Sequence, residues 1–245
     1  MDLLKYLKKV PSQSCIDCKH FAYNSFDLMY IDFNQISRDI RNLPDVLSVD
    51  EKQRVSQYRR DKQKFQYLIS RTILRLLLAS YLEVSPKSIL FSYSKRGKPE
   101  VLIDGHKKIF FNIAHTRDLT IFAFSEKYDL GVDVEYICKT KNYDQIAKQF
   151  FSKNEQRLLF SLQEEKRVDL FFEMWVVKEA YLKGTGSGIV DLNKIEVVYK
   201  KSSILLYDNI TGKHISDWSF FIISPVKHFT ACVALKCNEK LVPCT

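Results

Sequence analysis

Residues 130–137, with the sequence LGVDVEYI, alternate small or apolar side chains with acidic ones and predict a β-strand. Alternate side chains of a strand share a face, so Val132 and Val134 would enter the core while Asp133 and Glu135 point together to the other side. Two carboxylates this close raise each other's pKa unless a cation lies between them. The strand alone fits either two solvated acids or one wall of a Mg²⁺ site.

Further along the chain, residues 175–183 read WVVKEAYLK and predict a helix that Gly184 closes. Trp175, Glu179 and Lys183 are four residues apart and would share one face of that helix. Trp175 would anchor the helix, while the carboxylate and the ammonium project toward a common point. A glutamate four residues before a lysine is also a common surface ion pair, so a solvated face is the alternative.

Two shorter motifs precede the acidic strand. In residues 111–116, FNIAHT, a histidine follows an aromatic-rich strand, where it would bind a phosphate when protonated or merely cap the next turn. In residues 97–99, GKP, the lysine occupies a tight turn and is either a ligand contact or simply solvated.

The rest of the chain alternates helical and strand patterns. Residues 46–82 read as a helix with Asp50 and Glu51 near its start, and Ser85-Pro86 ends it. A capping box at residues 152–155 opens a short helix, and a longer helix follows from about residue 167 to 183. Strand patterns occupy residues 28–33, 89–93, 101–103, 110–113, 119–124, 130–137, 195–199, 218–224 and 229–235.

A long helix followed by several strands thus occurs once before residue 127 and once after it. We therefore predict an α+β fold of two similar halves, residues 1–127 and 128–245, although residues 1–45 are difficult to interpret.

Composition narrows the class of protein. No apolar run approaches the roughly 20 residues of a membrane span, and the N-terminus does not resemble a signal peptide, so we expect a soluble, cytoplasmic protein. The formal charge of +9 is compatible with nucleic acid, an anionic cofactor or an acidic protein partner, but no basic tail favours the first. Cys15 and Cys18 form a C-x-x-C without a matching second pair, which favours reduced thiols over zinc.

The order of these motifs is more specific than any one of them. From about residue 46 to 235 the chain resembles the surfactin-synthetase-activator (Sfp) type of 4′-phosphopantetheinyl transferase. The resemblance rests on GKP, NIAHT, GVDVE and the W-x-x-K-E-A helix with its following lysine, a form typical of one subgroup.

This resemblance implies a fold and a reaction. The family fold is a pseudo-dimer of two similar α+β halves with the active site in the cleft between them. The enzyme would transfer the 4′-phosphopantetheine arm of coenzyme A to a serine of an apo acyl or peptidyl carrier protein, leaving 3′,5′-ADP. Mg²⁺, with Mn²⁺ as a substitute, would be the cofactor. An acidic carrier protein would be the partner of a monomeric enzyme, with neither nucleic acid nor membrane, and the pathway stays open.

The resemblance also implies roles for individual residues. Asp133, Glu135 and Glu179 would hold Mg²⁺, Lys183 would contact phosphate near the reacting bond, and Glu179 or a metal-bound water would take the serine proton. The family's serine before the histidine is Ala114 here, which removes one possible hydroxyl contact. Contacts to coenzyme A are expected from Lys98, His115, Thr116 and Lys178. Arg71 and Arg75 match the family's phosphate-binding residues only loosely, but they are four apart on a helix, and each either faces the cleft as a further contact or points away from it.

Two other classes of function compete with this interpretation. A non-catalytic coenzyme A or carrier-protein binding protein would keep the fold with a dead site, but the intact acidic motifs argue against it. A nucleic-acid-binding module would fit the charge, but the chain has no recognisable binding motif.

Overall fold

The structure is a computed structural model, and five helices and twelve strands lie in the residues that it describes. It describes residues 18–22 (backbone only), 25–36, 43–102, 108–139, 142–200 and 203–237. Cys15 of the C-x-x-C motif lies outside the described residues.

The first helical region is two helices, where the sequence pattern predicts one. Helix α1 spans Val49–Gln57 and helix α2 spans Asp61–Leu82. Ser48 and Glu51 form a capping box at the start of α1. Residues 59–64, RRDKQK, contain no apolar side chain, so a continuous helix would have no face to bury there.

The strands before residue 137 form an antiparallel sheet, a hairpin and the first member of a second sheet. Their bounds are β1 (Cys18–Ala22), β2 (Asp27–Asp32), β3 (Leu90–Tyr93), β4 (Pro99–Leu102), β5 (Phe110–Thr116), β6 (Leu119–Ser125) and β7 (Leu130–Tyr136). The first sheet has the order β1-β2-β6-β5, and β3 pairs with β4. Gly97 makes the hairpin turn with φ of +85°, which suits glycine.

The second half contains three helices and five further strands. The helices are α3 (Tyr143–Phe150), α4 (Lys153–Phe160) and α5 (Glu164–Thr185). The strands are β8 (Ile195–Lys200), β9 (Ser203–Asp208), β10 (His214–Ile215), β11 (Trp218–Ile223) and β12 (Phe229–Lys236). They pair as β11-β12-β7 and β10-β9-β8.

The sequence patterns miss some of these elements. The capping box of Ser152 and Glu155 is confirmed at the start of α4. The prediction that Gly184 closes α5 is wrong, because Gly186 takes the left-handed conformation at its end, with φ of +69°. Elements α3, β1, β9 and β10 were not predicted, although residues 204–207 of β9 read ILLY and have a strand-like composition.

Three hydrophobic cores connect these elements into layers. Helix α2 packs on one face of the first sheet, through residues such as Met29 and Phe122. Alternate residues such as Leu28 pack instead on Val132 and other apolar residues of β7 and β12. Helix α5 covers the opposite face of β7 and β12. The α+β class with two helix-on-sheet halves is confirmed, while the boundary between the halves stays a prediction.

Strand β7 lies unusually close to helix α5 at Gly131. A Cβ atom at this position would be 2.0 Å from the carbonyl oxygen of Ala180 and 2.3 Å from the amide nitrogen of Gly184. Any larger residue would push the strand away from the helix. Glycine here therefore brings the acidic side chains of β7 beside α5.

Among the described residues, no helix combines the length and the apolar character that a membrane span requires.

Candidate active site

The candidate site lies where strands β5 and β7, one from each half, run side by side. The backbone amide of Val132 donates a hydrogen bond of 3.1 Å to the side-chain oxygen of Asn112. Four residues further along β5, the hydroxyl of Thr116 donates to Glu135 over 3.3 Å. The two strands therefore run in the same direction, and their C-terminal ends bring His115 and Thr116 toward the acidic motif.

An acid–lysine cluster, defined as Asp133, Glu135, Glu179 and Lys183, occupies the junction of β7 and α5. The ammonium of Lys183 donates to Oδ1 of Asp133 over 2.5 Å. Buried oxygens Oδ2 of Asp133 and Oε1 of Glu179 accept no hydrogen bond from the described residues. Buried polar atoms are nearly always paired, so two unpartnered carboxylate oxygens in one cluster indicate a place for a ligand.

The electrostatics of the cluster support this conclusion. Burial raises the pKa of Asp133, and the Lys183 ammonium opposes that shift only in part. Burial and the neighbouring Asp133 carboxylate also raise the pKa of Glu179. The acids are therefore short of positive charge, as expected for a site that accepts a cation.

The three acids fit a divalent cation chemically but do not form a finished metal site. Within the described ranges, no three acidic, histidine or cysteine side chains are grouped as a metal would require. The cation paired with Asp133 is the ammonium of Lys183. Carboxylate oxygens are nevertheless the ligands Mg²⁺ prefers, and two of them are unpartnered.

His115 and Thr116, at the C-terminal end of β5, have different roles in the candidate site. His115 is exposed on β5, and partial burial of its ring together with the Lys183 ammonium lowers its pKa. The imidazole is therefore mainly neutral at pH 7 before an anion arrives, where the sequence motif suggested a protonated ring. Thr116 holds Glu135 through its hydroxyl, which makes it a residue that orients an acid.

Lys178 does not face the cleft, contrary to the expected cofactor contact. Its side chain is 0% exposed and its ammonium donates to Glu155 over 2.7 Å. It also donates to the backbone oxygens of Leu192 and Phe150, over 3.1 and 3.4 Å. These acceptors saturate the ammonium, so Lys178 is part of the core of the second half.

Arg71 and Arg75 do not face the cleft either. They are 8% and 2% exposed, and both donate to the carboxylate of Glu51, over 2.7 and 2.6 Å. Both guanidinium groups also lie over the ring of Phe91. The two arginines connect α1, α2 and the β3–β4 hairpin, so the expected phosphate contacts are not available from them.

Lys98 lies at the N-terminal end of β7, where it joins the two halves. Its ammonium donates to Asp129 over 2.8 Å, to the carbonyl of Gly184 over 2.8 Å and to that of Leu130 over 3.3 Å. All three N–H groups are therefore used. A cavity of about 260 Å³ opens beside it, with Phe111 in its wall.

Two residues that shape this site were not predicted from the sequence. Gly131 sets the distance between strand and helix, and Asn112 joins β5 to β7. Both lie inside quoted motifs, but their roles depend on contacts between distant segments. The predicted anchor Trp175 packs between Phe150 and Phe171, with ring centroids 6.1 and 5.9 Å away.

Comparisons with known proteins identify the family. The sequence profile described as 4′-phosphopantetheinyl transferase superfamily matches residues 129–234, and the one described as 4′-phosphopantetheinyl transferase, N-terminal, matches residues 33–127. The 4′-phosphopantetheinyl transferase HetI of Nostoc sp. is 36% identical over 210 residues, which are 85% of this chain and 86% of that protein.

Two further relatives have the same activity in their names. The 4′-phosphopantetheinyl transferase gsp of Aneurinibacillus migulanus is 31% identical over 188 residues, covering 71% of this chain and 76% of its own. The 4′-phosphopantetheinyl transferase Sfp of Bacillus subtilis is 29% identical over 146 residues, covering 58% and 62%.

The chain belongs to the 4′-phosphopantetheinyl transferase superfamily, the family that its motifs resemble. It is an enzyme of that class, and the expected reaction is confirmed: transfer of the phosphopantetheine arm of coenzyme A to carrier proteins. The W-x-x-K-E-A subgroup stays a prediction.

Proposed function

We propose that the acid–lysine cluster is the catalytic centre and that Asp133, Glu135 and Glu179 hold Mg²⁺ there. The observation that carries this proposal is the pair of buried oxygens without a partner, Oδ2 of Asp133 and Oε1 of Glu179. When bound, the metal would offset the charge of the pyrophosphate and favour attack on it.

Lys183 and His115 bind the phosphates of coenzyme A in this proposal. Burial and the Lys183 ammonium lower the pKa of His115, and in this proposal each of the two side chains donates a hydrogen bond to a phosphate of coenzyme A. An anion between them would reverse that shift. Lys183 then stabilises the negative charge that develops on the leaving phosphate.

Glu179 is the proposed base for the serine of the carrier protein. Burial and the Asp133 carboxylate raise its pKa in the metal-free cluster, and a bound cation would lower it again, which favours a route through water. The proton moves from the serine hydroxyl to the carboxylate, either directly or through a water molecule. Thr116 keeps Glu135 oriented throughout.

The nucleotide part of coenzyme A is placed at the other end of β7, in the cavity beside Lys98. That cavity has polar and aromatic walls, with Lys98, Lys108 and Phe111 among its lining residues. Lys98 shapes it by holding the ends of β7 and α5 together.

The partner is proposed to be an acidic carrier protein, and the enzyme a monomer. A formal charge of +9 favours encounter with an anionic partner. Both halves of one chain contribute to the cleft, so a single copy holds every residue named above.

One experiment tests the activity and the metal together. The protein is incubated with coenzyme A and a panel of apo carrier proteins, with Mg²⁺ or with a chelator, and intact mass reports the added phosphopantetheine arm. We expect modification only with Mg²⁺. In parallel, Mn²⁺ binding is measured by electron paramagnetic resonance in the wild type and in Asp133→Asn.

The two readouts separate the alternatives. Binding of coenzyme A without any transfer would indicate a non-catalytic binding protein. Transfer with unchanged Mn²⁺ binding in Asp133→Asn would place the metal elsewhere. Glu173→Gln, which alters a half-buried carboxylate on the same helix, should leave both readouts near the wild type.

A further inference from the structure

A cationic, aromatic surface lies at the C-terminal ends of β5 and β7, one residue beyond the Thr116–Glu135 contact. We call it the Arg117 rim and define it as Arg117, Tyr136, Lys227, His228 and Phe229. The guanidinium of Arg117 lies 3.6 Å from the centre of the Tyr136 ring. The rings of Phe229 and His228 are 5.1 and 6.4 Å from the same ring.

The backbone of the β5–β6 turn holds Arg117 in place. Its φ is +50°, an uncommon value for a residue with a side chain. The side chain of Gln66 donates to the Arg117 carbonyl over 3.0 Å, and the amide of Phe33 donates to the Asp118 carbonyl over 2.7 Å. The first half thus fixes the turn, while the guanidinium crosses to the second half.

The rim is positively charged and exposed. Arg117, Lys227 and His228 are all exposed, and within the described part of the chain none of them forms an ion pair with a carboxylate. This differs from Lys98, Lys178 and Lys183, each of which has a carboxylate partner. The charge of the rim is therefore available to an anionic partner.

The chemistry of the reaction suggests which partner approaches this side. Phosphoryl transfer places the attacking and leaving oxygens roughly in line on opposite sides of the phosphorus. The proposed nucleotide cavity lies at the N-terminal end of β7, beside Asp129, and the rim begins at Tyr136 at the other end. If the leaving group extends toward that cavity, as proposed, the serine oxygen enters from the end of β7 that carries the rim.

We infer that the Arg117 rim is the docking surface for an acidic segment of the carrier protein next to its acceptor serine. This inference rests on the proposed function, because it uses the proposed positions of the nucleotide and of the reacting phosphate. Arg117 pairs with a carboxylate of the partner, while the Tyr136 ring beneath the guanidinium holds it in position.

Steady-state kinetics with an apo acyl carrier protein, coenzyme A and Mg²⁺ test the surface. With coenzyme A saturating, Arg117→Gln should raise KM for the carrier by about five- to tenfold, and Arg117→Glu should raise it further. The value of kcat and the calorimetric Kd for coenzyme A should stay within about twofold of the wild type. Arg117→Lys keeps the charge and should recover part of the loss.

Arg157→Gln is the matched control, since Arg157 is an exposed arginine on α4. It should behave as the wild type. An unchanged carrier KM in Arg117→Glu would overturn the docking surface while leaving the proposed function intact. An equal rise in Kd for coenzyme A would make Arg117 a cofactor contact and also overturn it. A wild type that modifies none of the carriers would reject the proposed function, and the surface with it.

Discussion

Lys178 and Glu179 are neighbours in the chain, but they belong to two regions with opposite electrostatics. Lys178 points into the second half, where Glu155 and two backbone carbonyls accept from its ammonium. Glu155 in turn accepts from the backbone amides of Val197 and Ser152. Glu179 points into the cleft and keeps a buried oxygen without a partner.

The comparison shows how buried charge can be interpreted. Burial raises the pKa of Glu155 and lowers that of Lys178, while their mutual attraction opposes both shifts. Their hydrogen bonds are nevertheless complete, so this pair needs no ligand and joins α4, α5 and β8. Glu179 also has a raised pKa, but one of its buried oxygens has no hydrogen-bond partner, so a ligand would supply the missing contact.

The largest effect, on transfer activity, is expected from substitution of Glu179 in the cleft. Glu179→Gln should reduce transfer by at least about 100-fold, because it removes a metal ligand and the proposed base. The free energy of unfolding, measured with urea, should stay equal or increase, since a carboxylate with one buried, unpartnered oxygen is replaced by a neutral amide. Glu173→Gln on the same helix should lose neither property. Near-normal transfer by a folded Glu179→Gln would break the comparison.

Substitution in the fully hydrogen-bonded pair of Lys178 and Glu155 should lower the stability of the protein. Lys178→Met leaves the Glu155 carboxylate buried without its counter-ion and should lower the free energy of unfolding by about 3–5 kcal/mol. Adding Glu155→Gln should recover part of that loss, because the uncompensated charge is removed. Urea unfolding at pH 7 measures both variants.

Kinetics on the folded Lys178→Met protein sharpen the same point. KM for coenzyme A should remain near the wild-type value, since Lys178 does not reach the cleft. A raised KM with unchanged stability would return Lys178 to the cofactor site and contradict the structure.

The smallest effect is expected from a third, exposed set of charges. Arg96 in the β3–β4 turn and Lys194 donate to Asp191 over 2.8 and 2.7 Å, and these contacts lower the pKa of Asp191 to about 2. A lowered pKa means that the stabilisation is present above the ordinary value of 3.8 and is lost as the pH falls through about 2.

Carbon-detected NMR titration of the Asp191 carboxyl checks this prediction. In Arg96→Gln the pKa should move part of the way back toward 3.8, and added salt should reduce the difference because Arg96 is half exposed. A pKa that does not move in Arg96→Gln would assign the whole shift to Lys194.

Much of the fold could be predicted from local patterns. The strand of residues 130–137, the capping box at Ser152 and the helix that carries Glu179 and Lys183 all have signals within a few residues. The split between α1 and α2 was predicted wrongly because apolar periodicity on both sides hid a short polar interruption. The end of α5 was also wrong, since Gly184 serves a close contact with Trp218 while Gly186 makes the cap.

The sequence by itself determined the family, the reaction and the acidic motifs, because these depend on residue types at fixed spacing along one strand and one helix. Only the tertiary structure separated the basic residues by role. It placed Lys178, Arg71 and Arg75 on buried acids and left Arg117 exposed at the cleft. The physical reason is that a cation's role depends on which acceptors surround it, and those acceptors come from segments that are distant in the chain.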